Sequence, residues 1–232
     1  MKKIVKSTKK TGNKRPRLHG AKENFFKDSS LSIALITLFI ICIFLQTLAG
    51  WKLHNENLIA HGHHAISHWG YLFTGVFWED ISSNWQAAFL QLGTLIILSS
   101  FLYQRGSPHS LDPRSKAQLS KLEQLKVKHF SWLYRHSLSI AFLLLFAVAF
   151  VIHIISGVRG YNEERLLTGN PPISIAAFMI SAKFWATTLK TWQAEYMVIT
   201  IYILLGIFLR QENSAESKPV ESKNETTGKI NV

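Results

Sequence analysis

Cysteine is nearly missing from this chain: Cys42 is the only one. An intramolecular disulfide and a multi-cysteine zinc or redox motif are thereby excluded, and the thiol, set in an apolar run, reads as a small apolar filler. No glycine-rich phosphate loop, no serine or cysteine nucleophile motif and no paired catalytic carboxylates occur, so nothing argues for an enzyme. Acidic residues are also scarce, 14 against 26 Lys plus Arg. The informative absence is of charge itself, which almost vanishes from residues 31–51, 87–103, 138–157 and 196–209. An apolar helix of about twenty residues spans the roughly 30 Å hydrocarbon layer, so the four stretches predict four transmembrane helices in an all-α membrane protein.

What is present is a repeat. A shift of 107 positions, without a gap, lays Ser30-Leu31-Ser32-Ile33-Ala34 on Ser137-Leu138-Ser139-Ile140-Ala141 and Asn55-Glu56 on Asn162-Glu163. It also lays Phe77-Trp78 on Phe184-Trp185 and Trp85-Gln86-Ala87 on Trp192-Gln193-Ala194. The chain therefore reads as two parallel repeats of a two-helix unit. Residues 30–110 form the first and 137–217 the second. In each, an apolar segment too short to cross, 66–78 or 173–185, is expected as an extracytoplasmic interfacial or re-entrant helix. The first apolar run could pass for a signal peptide, but its counterpart at 138–157 cannot, which argues for a retained helix.

The remaining segments are polar. Residues 1–29 form a basic tail, 111–136 a basic connector with an amphipathic central helix, and 218–232 a tail expected to be disordered. If residues 1–29, 105–136 and 210–232 share one side, that side holds 21 Lys plus Arg against five opposite. The positive-inside rule then places both termini in the cytoplasm, and the basic arms meet anionic lipids rather than nucleic acid. Six of the seven tryptophans fall on the other side, as an aromatic belt does.

Two groups of residues are candidates for chemistry. His61, His64 and His68, placed on one helix, would project from a single face and could ligate a divalent metal. Gly62 interrupts that helix, and the second repeat carries no histidine at these positions, so solvated loop histidines are the competing reading. Gln46, Gln91, His153 and Glu195 fall at similar depth inside the spans and form a polar intramembrane layer, with His153 paired to Glu195. Such groups are either a solute or proton pathway or interhelical hydrogen-bond glue. No haem is expected, because His153 is the only histidine within a span. Glu56 and Glu163 recur at the mouth beside Asn55 and Asn162, where they could gather cations or serve the turn.

Several motifs resemble a family of small bacterial integral membrane proteins catalogued only as a domain of unknown function. They are Gly50-Trp51, Asn55-Glu56, His61-Gly62, Asn84-Trp85-Gln86 with Phe89-Leu90-Gln91, and the exit Gln104-Arg105-Gly106-Ser107, with a similar exit at Ser214-Ala215-Glu216-Ser217-Lys218-Pro219. The resemblance runs from residue 30 to 220. It implies a bacterial cytoplasmic (inner) membrane and supplies no activity; where the family favours an acid after the tryptophan, Ala88 stands in the first copy and Glu195 in the second. The expected function is a non-enzymatic accessory or envelope component embedded in the lipid bilayer, compatible with a homo-oligomer. The alternatives are a small permease or channel with a polar pathway, and a metal-binding protein using the histidines. No cofactor is expected beyond that divalent metal.

Overall fold

The computed structural model describes residues 25–111 and 131–228. The predicted amphipathic connector helix and most of the basic N-terminal arm lie outside the described residues. The described chain is helical, without strands: α1 (Phe25–Asp28), α2 (Ser30–Ala60), α3 (His68–Leu72), α4 (Gly75–Phe101), α5 (Trp132–Arg135), α6 (Ser137–Leu167), α7 (Ile175–Met179) and α8 (Ala182–Phe208). Helices α2, α6 and α8 are long and apolar enough to cross a membrane. At 31 residues, α2 and α6 each rise about 46 Å, well beyond the roughly 30 Å hydrocarbon layer. Helix α4 equals α8 in length but carries Glu79, Asp80 and Asn84 in its first half, which leaves only its second half free of charge.

The chain divides into two compact units, up to Gln46 and from Thr47 onward. The first is helical, with Leu35, Ile36, Leu38 and Phe39 exposed. The second contains the packed helices.

Local sequence sets the helix starts. Ser67, Thr74, Ser174 and Ser181 are N-caps whose side-chain oxygens accept from the backbone N–H three residues on. The caps at Thr74 and Ser181 revise the sequence expectation. The apolar segments 66–78 and 173–185 are not single interfacial helices; each is a five-residue helix followed by the first turn of a long one. Each loop is folded back by an asparagine. Asn55 Oδ1 accepts from the Ile66 N–H (2.8 Å) and its Nδ2 donates to Ile66 O (3.0 Å), and Asn162 does the same with Ile173 at 2.8 and 3.0 Å.

The central packing is α4 against α6. Ser82 meets Ser156 (3.2 Å), Gly75 meets Gly160, and Phe89 meets Phe142, so the two helices run antiparallel. Small residues allow the close approach. A Cβ on Gly75 would collide with the backbone of Arg159 and Gly160, and one on Gly160 would sit 3.0 Å from the Val76 nitrogen. Helix α8 runs parallel to α4, as the pairs Gln86–Trp192, Gln91–Glu195 and Thr94–Tyr196 require. Beside this seam Phe178, Phe184 and Val158 are buried with Phe150, Ile154, Tyr161 and Ile173. Burying one such aromatic ring contributes roughly 2 kcal/mol.

After α4 and α8 the chain makes the same loop twice. Gln104 N–H donates to Ser110 Oγ (3.0 Å) and Gln211 N–H to Ser217 Oγ (2.9 Å), while Gly106 and Asn213 both take positive φ, +83° and +61°. Residues 218–228, part of the tail expected to be disordered, are described in the structure and are held by side-chain contacts. Lys218 is buried, and its Nζ donates to four backbone carbonyls: Gly106 (2.6 Å), Asn224 (3.1 Å), Ile207 (3.2 Å) and Thr226 (3.2 Å). Composition marks this segment as polar, yet one ammonium satisfying four carbonyls gives it a fixed path. Burial pulls the Lys218 pKa below the ordinary lysine value, and the nearby Arg210 adds to the effect.

Candidate functional site

The N-terminal ends of α4 and α8 and the C-terminal ends of α2 and α6, with α3 beside them, enclose a cavity of about 590 Å³. Five carboxylates line it, Glu56 from α2, Glu79 and Asp80 from α4, and Glu163 and Glu164 from α6, against one lysine, Lys183. Leu53, Val76 and Leu167 supply apolar wall.

The glycine crossing makes room for Glu79. Positions 75, 79, 82 and 86 share one face of α4. Opposite them, a Cβ on Gly160 or Gly157 would lie 3.0 Å from Glu79 Oε2 or 3.7 Å from its Oε1. One turn beyond Gly160, Glu163 Oε1 accepts from the Gly75 N–H (3.0 Å), capping α4 from another helix where the dipole favours negative charge. Its second oxygen, Oε2, is buried without a hydrogen-bond partner among the described residues. Lys183 Nζ lies 3.4 Å from Glu164 Oε2.

Crowding of like charge in a half-enclosed space shifts these groups. Burial pushes the Glu79 carboxyl up to about 7; Lys183 opposes this, and Asp80, Glu164 and Glu163 reinforce it. Asp80 is raised for the same first reason, again against Lys183. Tyr71, at 2% exposure, lines the cavity with its hydroxyl against Gly50 and no hydrogen-bond partner for that hydroxyl among the described residues. Burial and the charge of Asp80 push it up to about 12.

Below the cavity the α4–α8 seam remains polar. Gln86, fully buried, accepts from the Trp192 indole N–H (2.7 Å) and donates to Ser83 O (3.0 Å). Gln91 Nε2 donates to the Glu195 backbone carbonyl (2.9 Å), and Thr94 Oγ1 is hydrogen-bonded to the Tyr196 hydroxyl (3.1 Å). A second cavity, about 330 Å³, then opens, lined by Gln91, Thr94, Tyr196 and Thr200 and by His109 of the first exit loop. From Ser83 in the first cavity to Gln91 in the second is eight residues, about 12 Å of helix.

The anticipated residues fall as follows. His153 is fully buried and hydrogen-bonded to Thr188 Oγ1 (3.1 Å), its ring stacked on Phe184 at 5.4 Å, rather than paired with Glu195. Gln91 does reach Glu195, through the backbone. Gln46 is exposed on α2. The three histidines are not on one helical face, because α2 ends at Ala60, Gly62 takes φ +80° and α3 begins at His68. His61 bonds Asn57 O (2.9 Å), His64 is exposed, and His68 packs on Trp51 at 5.7 Å. No three His, Cys, Asp or Glu side chains among the described residues converge on a metal-sized point.

Glu79, Asp80, Tyr71 and Lys183 were not singled out as site residues from the sequence. The signal was there for Glu79. The run Gly75, Glu79, Ser82, Gln86 is a helical stripe of small and polar residues, missed because the helix was expected to start later.

Among the described residues the chain is all-helical, with three helices long and apolar enough to cross a membrane. It belongs to the family described as Domain of unknown function (DUF6766), which matches residues 22–229. No curated protein and no solved structure matches the chain.

Proposed function

We propose that this is a small four-span permease or channel for cations, held closed, in which the carboxylate-lined cavity is the extracytoplasmic vestibule and the α4–α8 seam the pathway. The observation that carries the reading is that two cavities border one polar seam, the first at Ser83 and the second at Gln91, with the buried Gln86 and its Trp192 hydrogen bond on the stretch of α4 between them. Polar groups at membrane depth line cavities or pathways where they are not merely paired across helices. The vestibule's five carboxylates against one lysine select positive charge.

On this reading α4 supplies the fourth span with its charge-free second half. Support comes from its 27 residues matching α8, from α2 and α6 matching at 31, and from each pair starting 107 positions apart. The parallel course of α4 and α8 supports two parallel repeats, and the charge bias supports cytoplasmic termini in a bacterial inner membrane. Full-length protein in proteoliposomes should pass a monovalent cation above empty vesicles, at least in Trp192→Ala, where that hydrogen bond is removed. Glu79→Gln should cut that flux at least fivefold. No flux from either the native chain or the Trp192→Ala variant, with both folded, would overturn the permease and leave a non-enzymatic accessory component.

A further inference from the structure

We infer that the vestibule binds an elongated organic amine carrying two or more ammonium groups, rather than a bare metal ion. This rests on the reading of that cavity as the binding site, and it commits to the chemistry of what enters. The first ground is size and shape. A cavity of about 590 Å³ falls among those that hold small organic molecules, and it exceeds many times the roughly 30 Å³ share of one water. The second is the placement of charge. The carboxylates come from three helices, α2, α4 and α6, and no three of them meet at one point. A spherical ion wants converging oxygens; an organic amine needs carboxylates for its ammonium groups and apolar wall for its methylene chain, and Leu53, Val76 and Leu167 supply such wall in the same cavity.

The third ground is that the chain already shows how the site treats an ammonium. Lys183 Nζ sits 3.4 Å from Glu164 Oε2 and 6.0 Å from the centroid of the Tyr161 ring, a carboxylate and an aromatic face together. The remaining acceptors are unused. Tyr71, almost fully buried, presents a hydroxyl with no partner among the described residues, and Glu163 Oε2 is in the same condition. Unpaired buried polar atoms are costly, and a ligand N–H that reaches them removes that cost. A bound diamine or triamine would donate to Glu163 and to the Tyr71 hydroxyl, and its other ammonium groups would meet Glu56 or Asp80.

Spermidine is the probe. Isothermal titration calorimetry on the purified full-length protein in detergent should show saturable binding, and magnesium chloride at matched ionic strength should not reproduce it. Asp80→Asn and Glu163→Gln should each weaken binding at least fivefold. Tyr71→Phe should weaken it severalfold without lowering the melting temperature. The inference is overturned by no saturable spermidine binding, by equal binding of magnesium, or by indifference to all three substitutions. The two proposals separate cleanly. Monovalent cation flux without spermidine binding leaves the permease standing and removes the amine, whereas spermidine binding without flux in any variant does the reverse.

Discussion

Replacing Glu79 by glutamine should make the protein more stable in alkaline buffer and leave it unchanged in acid. The carboxyl is raised from 4.5 to about 7, with burial as the first cause. The folded state therefore holds the Glu79 proton more tightly than the unfolded chain does. Below pH 4.5 both states are protonated and the site costs nothing. Between 4.5 and 7 the unfolded chain ionises first, so stability falls, and above 7 the loss is complete.

At about 1.4 kcal/mol for each tenfold change, the full loss is roughly 3 kcal/mol. The side chain is only half-buried and borders an open cavity, so screening reduces this to about 1–2 kcal/mol. Besides burial, the groups that set it are Lys183 on α8, Asp80 on its own helix, and Glu164 and Glu163 on α6. Glutamine carries no charge at any pH. Thermal melting in detergent at pH 4 and pH 8 should show Glu79→Gln unchanged at the lower pH and raised by about 3–6 °C at the higher. A variant destabilised at pH 8, or stabilised equally at both, would refute the burial argument.

Two other predictions concern the frame. Gly75→Ala places a Cβ on the backbone of α6 and should cost about 2 kcal/mol or more despite alanine's better helix propensity, read as a lower melting temperature and reduced yield of folded protein. Lys218→Met leaves four carbonyls without their donor and should destabilise the clasp by about 2–5 kcal/mol. Hydrogen exchange should then accelerate across residues 211–228 while α4 and α6 keep their protection.

The helices were legible in the sequence because charge depletion and the 107-residue offset are strong, redundant signals. Every long helix falls where an uncharged stretch is, and the asparagine clasps recur where Asn55 and Asn162 do. The site was less legible because its residues are defined by what faces them. Glu79 acquires its character from Gly157 and Gly160, 78 and 81 positions away, which leave room for a carboxyl that a larger residue would have displaced. The histidines illustrate the opposite error. Their spacing suits one helix, but Gly62 ends that helix between them. His153 finds Thr188 because α7 and Phe178 hold α6 and α8 at a distance set by aromatic packing, which no count of depth along a span reveals. Lys218 lies in a polar stretch whose order comes from one side chain rather than from periodicity.

The glycine crossing also decides which parts of the molecule can move. Where two backbones touch, there is no side chain to swing aside, and sliding α4 along α6 would drive atoms into atoms. Helices α4 and α6 therefore behave as a single rigid strut. Helix α8 meets that strut through side chains instead, Trp192, Glu195 and Tyr196 facing the glutamines and threonine of α4 and Phe184 packed on Phe150 and His153 of α6. On the permease reading, a transition that joins the two cavities moves α8 against the strut and breaks the Gln86–Trp192 hydrogen bond.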